Sequence, residues 1–188
     1  MTDESDADAG SASTGDESGA ASESTPVGDG DELTHTDGEG DVRMVDVGDK
    51  PDAARRAVAR GTIHLRESTV LAVHDDELDK GNVLATARVG AVQAVKHTWE
   101  SIPLCHQIPV TSVETDFALD PDRGRIDCTV AVETTGKTGC EMEALEGVTT
   151  GLNVVWDMVK AAEKDAAGEY PETRITDVRV VEKTKRPL

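Results

Sequence analysis

The chain has 188 residues, a formal net charge of −19 and an aromatic content of only 2%. This length suits one domain with a tail, whose core must be built from Val, Ala, Leu and Ile. The acid excess argues against binding to duplex nucleic acid or an anionic membrane, because both would repel the chain, but it leaves room for a small anionic ligand.

The first 40 residues differ in composition from the rest. They are rich in Asp, Glu, Ser, Gly, Ala and Thr and contain no Lys or Arg. Such a segment cannot bury enough apolar surface to offset its ordering entropy. We therefore predict a disordered acidic tail over residues 1–40 and a single folded domain over residues 41–188.

Four elements are predicted in the first half of that domain. The stretch "PDAARRAV" favours a turn of helix starting near Pro51, and residues 60–66 alternate polar and apolar side chains as a strand does. "ESTVLAVHDD" indicates a short helix. "NVLATARVGAVQAVKHTWESI" indicates a long, largely buried helix with Asn82 as its N-cap.

The second half predicts a hairpin, a helix and a strand. "PVTSVETDFAL" and "IDCTVAVET" flank the turn "DPDRGR". In the helix that follows, Leu145, Val148, Leu152, Val155 and Val159 form one apolar stripe, and Gly147 and Gly151 allow close backbone packing. "RITDVRVVE" is the last strand. The order predicts an α+β fold of the ferredoxin-like split β-α-β type, an antiparallel sheet with helices packed on one face.

A charged pair lies on the strongest helix. Asp157 and Lys160 are one turn apart and share a face with Asn153 and Lys164. A solvated face with an ion pair would explain them, but most of the circumference around them is apolar. A charged pair in such a place indicates a crevice or an interface, where side chains can have shifted pKa values and move protons.

Other candidate residues each have a sufficient structural explanation. Glu141 and Glu143 begin the same helix, where acids interact well with the helix dipole. Lys80 precedes a helix and could contact phosphate, although a lone Lys-Gly is a weak signal. Arg55 and Arg56 are ambiguous in the same way.

The adjacent Cys105 and His106 make an unusual pair within "SIPLCHQIPV". Consecutive side chains tend to point apart, which argues against a thiol–imidazole dyad. Cys128 and Cys140 are distant and no Cys-x-x-Cys occurs, which argues against a zinc site and against a disulfide framework. Locally, a structural histidine is the favoured interpretation.

Several stretches together carry a more specific signal. "MVDVGDKP", "KGNVLATARVGAVQAVKHTWESIPLCHQIP", "TGKTGCEMEALEGV" and "WDMVKAAEKD" resemble the cyclic pyranopterin monophosphate synthase family of molybdenum cofactor biosynthesis, from Met44 to about Asp165. The resemblance implies a lyase that converts 3′,8-cyclo-7,8-dihydroguanosine 5′-triphosphate to cyclic pyranopterin monophosphate and pyrophosphate. It also implies a ferredoxin-like subunit in a homohexamer, a trimer of dimers with active sites at subunit interfaces.

The resemblance assigns roles to residues that match the family motifs. The residues it implies as catalytic are Asp157, Lys160 and Lys80. Those it implies as substrate-binding are Leu104, Cys105, His106, Glu141, Met142, Glu143 and Arg55. The lysines and Arg55 would clamp the triphosphate, Asp157 and Lys160 would transfer protons, and Glu143 would accept from guanine-derived N–H groups. Gln107, where many relatives have proline, and the C-terminal "EKTKRPL" depart from the family pattern. Phosphate contacts at that C-terminus are therefore in doubt, with Lys183 or Lys185 as substitutes.

Three further expectations complete the sequence-based picture. No tightly bound cofactor and no metal site are expected, and it stays open whether Mg²⁺ accompanies the triphosphate. The absence of a signal-like or spanning segment predicts a cytoplasmic protein, and the acid excess predicts a halophilic source. The rivals to a lyase are a non-catalytic nucleotide-binding or regulatory oligomer and a purely structural α+β module.

Overall fold

The computed structural model describes residues 42–188, so the predicted tail lies outside the described residues. The elements are strand β1 (Ala53–His64), helix α1 (Glu67–His74), helix α2 (Val83–Ser101), strand β2 (Val110–Asp120), a 3-10 turn (Pro121–Arg123), strand β3 (Arg125–Gly136), helix α3 (Glu141–Glu163) and strand β4 (Arg174–Pro187). None of the described helices is long and apolar enough to cross a membrane.

The described strands form one antiparallel sheet in the order β2-β3-β1-β4. The hairpin β2–β3 turns through Gly124, whose positive φ of 56° suits a residue without a side chain. Strand β1 lies between β3 and β4, so both halves of the chain contribute to the centre of the sheet. This topology confirms the predicted ferredoxin-like α+β fold.

The predicted helical turn near Pro51 is wrong, because residues 53–64 form the central strand β1. Alanine and arginine favour helix locally, but β1 pairs along its length with β3 on one side and β4 on the other. Ala53, Ala57 and Ala59 are almost fully buried, so small side chains serve close helix–sheet packing. Tertiary pairing has overridden local propensity here.

The two long helices pack together and cover the core. Helix α2 begins as predicted, with Asn82 Oδ1 accepting from the Ala85 amide at 2.7 Å. On α3, the predicted stripe is confirmed: its last four members are buried, and Leu145 is partly buried against the core. A Cβ at Gly147 would lie 2.8 Å from Val95 Cγ2, so glycine there permits the close approach of α3 to α2.

Candidate active site

The loop between α1 and α2 brings a lysine onto the C-terminal half of α3. Lys80 Nζ donates to the backbone oxygen of Asp157 at 2.6 Å and to its Oδ2 at 3.1 Å. On the same helix, Lys160 Nζ donates to Asp157 Oδ1 at 2.6 Å. Each carboxylate oxygen of Asp157 thus has its own ammonium partner. We call these three residues the lysine–aspartate cluster.

The electrostatics of this cluster follow from its hydrogen bonds. The bond from Lys160, followed by the bond from Lys80, lowers the pKa of Asp157, and the same contact with Asp157 raises the pKa of Lys160. The three side chains are between 42% and 59% exposed. The cluster therefore does not lie in a crevice formed by residues 42–188. Its location at an interface between subunits stays a prediction.

A second group of predicted residues lies at the start of α3. Glu143 is 2% exposed, and the Cys105 thiol donates to its Oε1 at 3.7 Å. The other oxygen, Oε2, is buried and accepts no hydrogen bond from the described residues. Burial raises the pKa of Glu143, outweighing the bonds from its own amide and the Cys105 thiol. A buried acceptor without a partner is costly, and it indicates a ligand donor at this point.

The loop carrying Cys105 forms the wall beside Glu143. Burial, followed by the nearby charge of Glu143, raises the pKa of the Cys105 thiol to about 11. The thiol is therefore protonated at neutral pH, and a protonated thiol is a poor nucleophile. Leu104 and His106 on either side are partly buried, and His106 makes no hydrogen bond or ion pair within residues 42–188.

Cations gather beside the same end of α3. The Glu141 carboxylate forms an ion pair with Lys183 Nζ. Burial is the largest single influence and raises the pKa of Glu141. The hydrogen bond from Lys183, the bond from its own amide and the charges of Lys183 and Arg55 together outweigh it and leave the pKa lowered. Arg55 donates to the backbone oxygens of Gly136 and Lys137 at 3.1 and 3.0 Å, and it pairs across the sheet with Lys185. Lys183 sits two positions before Lys185, so both lysines share the face of β4 on which Arg55 lies.

One residue of this group points mainly to solvent, and one contact was not foreseen. Met142 is 42% exposed in the isolated chain. The pairing of Lys183 with Glu141 was missed because it joins β4 to α3, whose alignment does not follow from local spacing. The alternation along "VEKTK" was the available signal, because it puts both lysines on one face of an extended strand.

The two groups of predicted residues are far apart within one chain. Glu143 and Asp157 are 14 positions apart on α3 (157 minus 143), which at about 1.5 Å per residue separates them by about 21 Å along the axis. The structure thus brings Lys80, Asp157 and Lys160 together, and separately Cys105, Glu143 and Glu141. Within one chain, the structure does not bring these two groups of residues together.

No group of three or more His, Cys, Asp or Glu side chains that could hold a metal ion occurs among residues 42–188. Cys105, Cys128 and Cys140 are all free thiols. The site residues described above offer carboxylates, ammonium groups and a histidine. Proton transfer and anion binding are the reactions that such groups serve.

Fold and site together define an α+β protein of ferredoxin-like topology with charged groups suited to an anionic substrate. The MoaC family matches residues 44–186, and the chain belongs to that family. A Halobacterium salinarum protein called "Probable cyclic pyranopterin monophosphate synthase" is 71% identical over 160 residues, covering 85% of this chain and 97% of that protein. A Natronomonas pharaonis protein of the same name is 66% identical, covering 86% and 100%. A Methanothermobacter thermautotrophicus relative, 54% identical over 84% and 97%, carries that name with the words "accessory protein" added.

Proposed function

We propose that this protein is a cyclic pyranopterin monophosphate synthase. It converts 3′,8-cyclo-7,8-dihydroguanosine 5′-triphosphate to cyclic pyranopterin monophosphate and pyrophosphate in molybdenum cofactor biosynthesis, as a lyase. Membership of the MoaC family and the names of its relatives support this proposal. The structural observation that carries it is Asp157 held between two ammonium groups at 2.6 and 3.1 Å.

The lysine–aspartate cluster supplies the proton transfers. In the substrate-free chain its hydrogen bonds lower the pKa of Asp157, which makes the carboxylate a weak base. A phosphate that draws the two ammonium groups toward itself weakens those bonds and raises the pKa of Asp157. Binding of the anionic substrate would therefore activate the base, and Lys80 and Lys160 would stabilise charge on the departing pyrophosphate.

The group at the start of α3 recognises the guanine-derived ring. Glu143 Oε2 is a buried acceptor without a donor among the described residues, and the ring system of the substrate offers N–H donors. Leu104, Cys105 and His106 form the wall beside it, while Glu141 and Met142 border the entrance. Arg55 contributes positive charge for the phosphates, and Lys183 or Lys185 on β4 provides the phosphate contacts that the departure of "EKTKRPL" from the family pattern left in doubt.

The active site is shared between subunits of a homohexamer, a trimer of dimers. The 3′,8 link makes the reacting sugar carbon part of the ring system, so ring-binding and proton-transferring groups must act within a few ångströms of each other. In a single chain Glu143 and Asp157 are about 21 Å apart along α3. One copy's Glu143 end and a neighbouring copy's lysine–aspartate cluster would complete the site.

The protein acts in the cytoplasm of a halophilic organism, with no tightly bound cofactor. Free thiols at Cys105, Cys128 and Cys140 suit a reducing compartment. The net charge of −19 and the Halobacterium relative support a high-salt origin. Mg²⁺ would enter, if required, with the triphosphate rather than on a protein site.

The decisive test is turnover. Purified protein at molar KCl receives the cyclised GTP derivative, and pyrophosphate and the cyclic pyranopterin phosphate are measured with and without Mg²⁺. Formation of both products is expected. Tight substrate binding without turnover by folded oligomer would favour the rival, a non-catalytic binding or accessory protein. A monomeric mass in molar KCl would contradict the shared site.

A further inference from the structure

A buried glutamate joins three elements at the C-terminal end of α3. Glu163 is the last residue of that helix and is 1% exposed. Its Oε1 accepts from the backbone amide of Arg66 at 3.2 Å, and its Oε2 accepts from the Thr173 hydroxyl at 2.6 Å. Both oxygens are satisfied, so the carboxylate ties α3 to the start of α1 and to the entry of β4.

Arg66 makes a second connection between the start of α1 and the end of α3. It is the N-cap residue of α1, and its own side chain caps nothing there. Its guanidinium instead donates to the backbone oxygens of Ala162 and Glu163, both at 3.1 Å, which are otherwise unpaired carbonyls at the end of α3. Glu163 caps the start of α1 while Arg66 caps the end of α3. We call this arrangement the reciprocal cap.

The reciprocal cap joins the two chain segments that carry the lysines of the lysine–aspartate cluster. Lys160 is one turn before Glu163, within the last turn of α3 that the Arg66 guanidinium closes. Lys80 lies on the loop that follows α1, the helix whose N-cap residue Arg66 donates its backbone amide to Glu163. The cap therefore fixes the relative position of the two chain segments that deliver ammonium groups to Asp157.

We propose that Glu163 and Arg66 are positioning residues, which hold Lys160 and Lys80 at the Asp157 carboxylate through the reciprocal cap. Neither residue contacts the three cluster side chains, and their effect passes through the last turn of α3 and through α1. The kinetic part of this inference rests on the proposed function, whereas the structural part does not.

The experiment must distinguish a positioning role of Glu163 from a purely structural one. Removing a buried carboxylate that has two partners destabilises a fold in any case. A positioning role makes two further predictions. The substitution should disturb the lysine–aspartate cluster more than the rest of the fold, and a residue that restores the hydrogen bonds should restore activity. Glutamine is such a residue, because its amide oxygen can accept from the Arg66 amide while its NH₂ group donates to the Thr173 hydroxyl.

The kinetic experiment compares Glu163→Ala with Glu163→Gln in the full-length oligomer at molar KCl. We expect kcat/KM to fall about 10- to 100-fold in the alanine variant, as small misplacements of reacting groups do, and to return to within about threefold of wild type in the glutamine variant. Arg66→Lys should be intermediate, because an ammonium lacks the planar, rigid fork with which the guanidinium reaches both carbonyls. Glu172→Ala is the matched control: it removes only the exposed 3.6 Å ion pair of Arg66 and should leave kcat/KM unchanged.

A second measurement needs no activity. Lysines are acetylated in a short pulse at mildly alkaline pH, and each site is quantified by mass spectrometry. Release from Asp157 should raise the reactivity of Lys160 in Glu163→Ala, relative to the exposed Lys50 in the same molecule. Val95→Ala, a core truncation elsewhere, lowers stability and should leave that ratio unchanged.

The results of these two measurements distinguish a positioning role from a purely structural role. A selective rise at Lys160 with rescue by glutamine supports the reciprocal cap as a positioning device, even if wild-type turnover is absent and the proposed function fails. Wild-type Lys160 reactivity in folded Glu163→Ala, or an equal rise at every lysine, overturns it. Should the alanine variant not fold, Thr173→Val and Arg66→Lys give the same two readouts.

Discussion

Replacing Glu143 by methionine should make the protein more stable and less active. The carboxylate is 2% exposed, and its Oε2 accepts no hydrogen bond from residues 42–188. An unsatisfied buried acceptor costs about 1–3 kcal/mol, whereas the weak bond from the Cys105 thiol and that from its own amide return about 1 kcal/mol. Methionine has nearly the same length and no polar oxygen, so we expect the free energy of unfolding to rise by about 1 kcal/mol at pH 7.

The pH dependence of this gain has a definite sign. Burial raises the pKa of Glu143 above its ordinary value of 4.5, so the wild-type protein loses stability as pH rises through that raised pKa. The methionine variant has no such group. The stability difference between the two should therefore be smallest below pH 4.5, where the carboxyl is mostly protonated in both folded and unfolded states, and should grow as pH rises through the raised pKa.

The measurement is urea unfolding at fixed KCl and fixed protomer concentration, at several pH values. Glu141→Gln is the matched control with opposite sign, because Lys183 leaves the pKa of Glu141 lowered, and the stability it adds is present above its ordinary pKa. That variant should be slightly less stable at pH 7, and the difference should disappear only as pH falls through the lowered pKa of Glu141. A methionine variant that is less stable than wild type at pH 7, or whose gain does not grow with pH, would show that Oε2 is satisfied in the protein and refute the reasoning.

Three other changes test the rest of the site and the fold. Asp157→Asn should keep the oligomer folded and reduce turnover about 10²- to 10⁴-fold, the contribution of a positioned acid or base; near-wild-type rates would remove Asp157 from the mechanism. Cys105→Ser should cost little turnover because the thiol, with a pKa of about 11, is not a nucleophile, whereas His106→Ala should cost much; a dead, folded serine variant would contradict this. Gly147→Ala should lower the free energy of unfolding by about 1–3 kcal/mol, because the new methyl would lie 2.8 Å from Val95 Cγ2, and an unchanged midpoint in urea would show that the helices can separate without cost.

The elements with strong local signals could be predicted from the sequence. The stripe from Val148 to Val159 has helical spacing, Asn82 is a good N-cap, and the Pro–Gly turn marks the hairpin. Only the second half of strand β1 could be predicted, within the strand expected at residues 60–66. Its first half could not be predicted, because Ala and Arg there favour helix and only pairing on both edges makes them a strand. That pairing is a property of the whole sheet rather than of the segment.

The site, like the fold, has features that the sequence could predict and features that it could not. Family motifs named Lys80, Asp157 and Lys160 as one functional set, and the structure shows them in contact. The separation of about 21 Å between Glu143 and Asp157 follows from their spacing on one predicted helix. The contact of Lys80 with Asp157 could not be shown by spacing, because the two residues are 77 positions apart. Glu163 had a readable signal: it continues the buried series Val155 and Val159 at intervals of four, a position where an acid requires buried partners.

The bond between Glu163 and Thr173 also has a use in protein engineering. It joins the two ends of the surface loop formed by residues 164–172, so the anchoring of those ends does not depend on the length of the chain between them. Each doubling of a flexible loop costs only about 0.6 kcal/mol in closure entropy. We expect a peptide tag or a small reporter domain inserted beside Gly168, whose position for a side chain has nothing within 4 Å, to be carried without loss of folding.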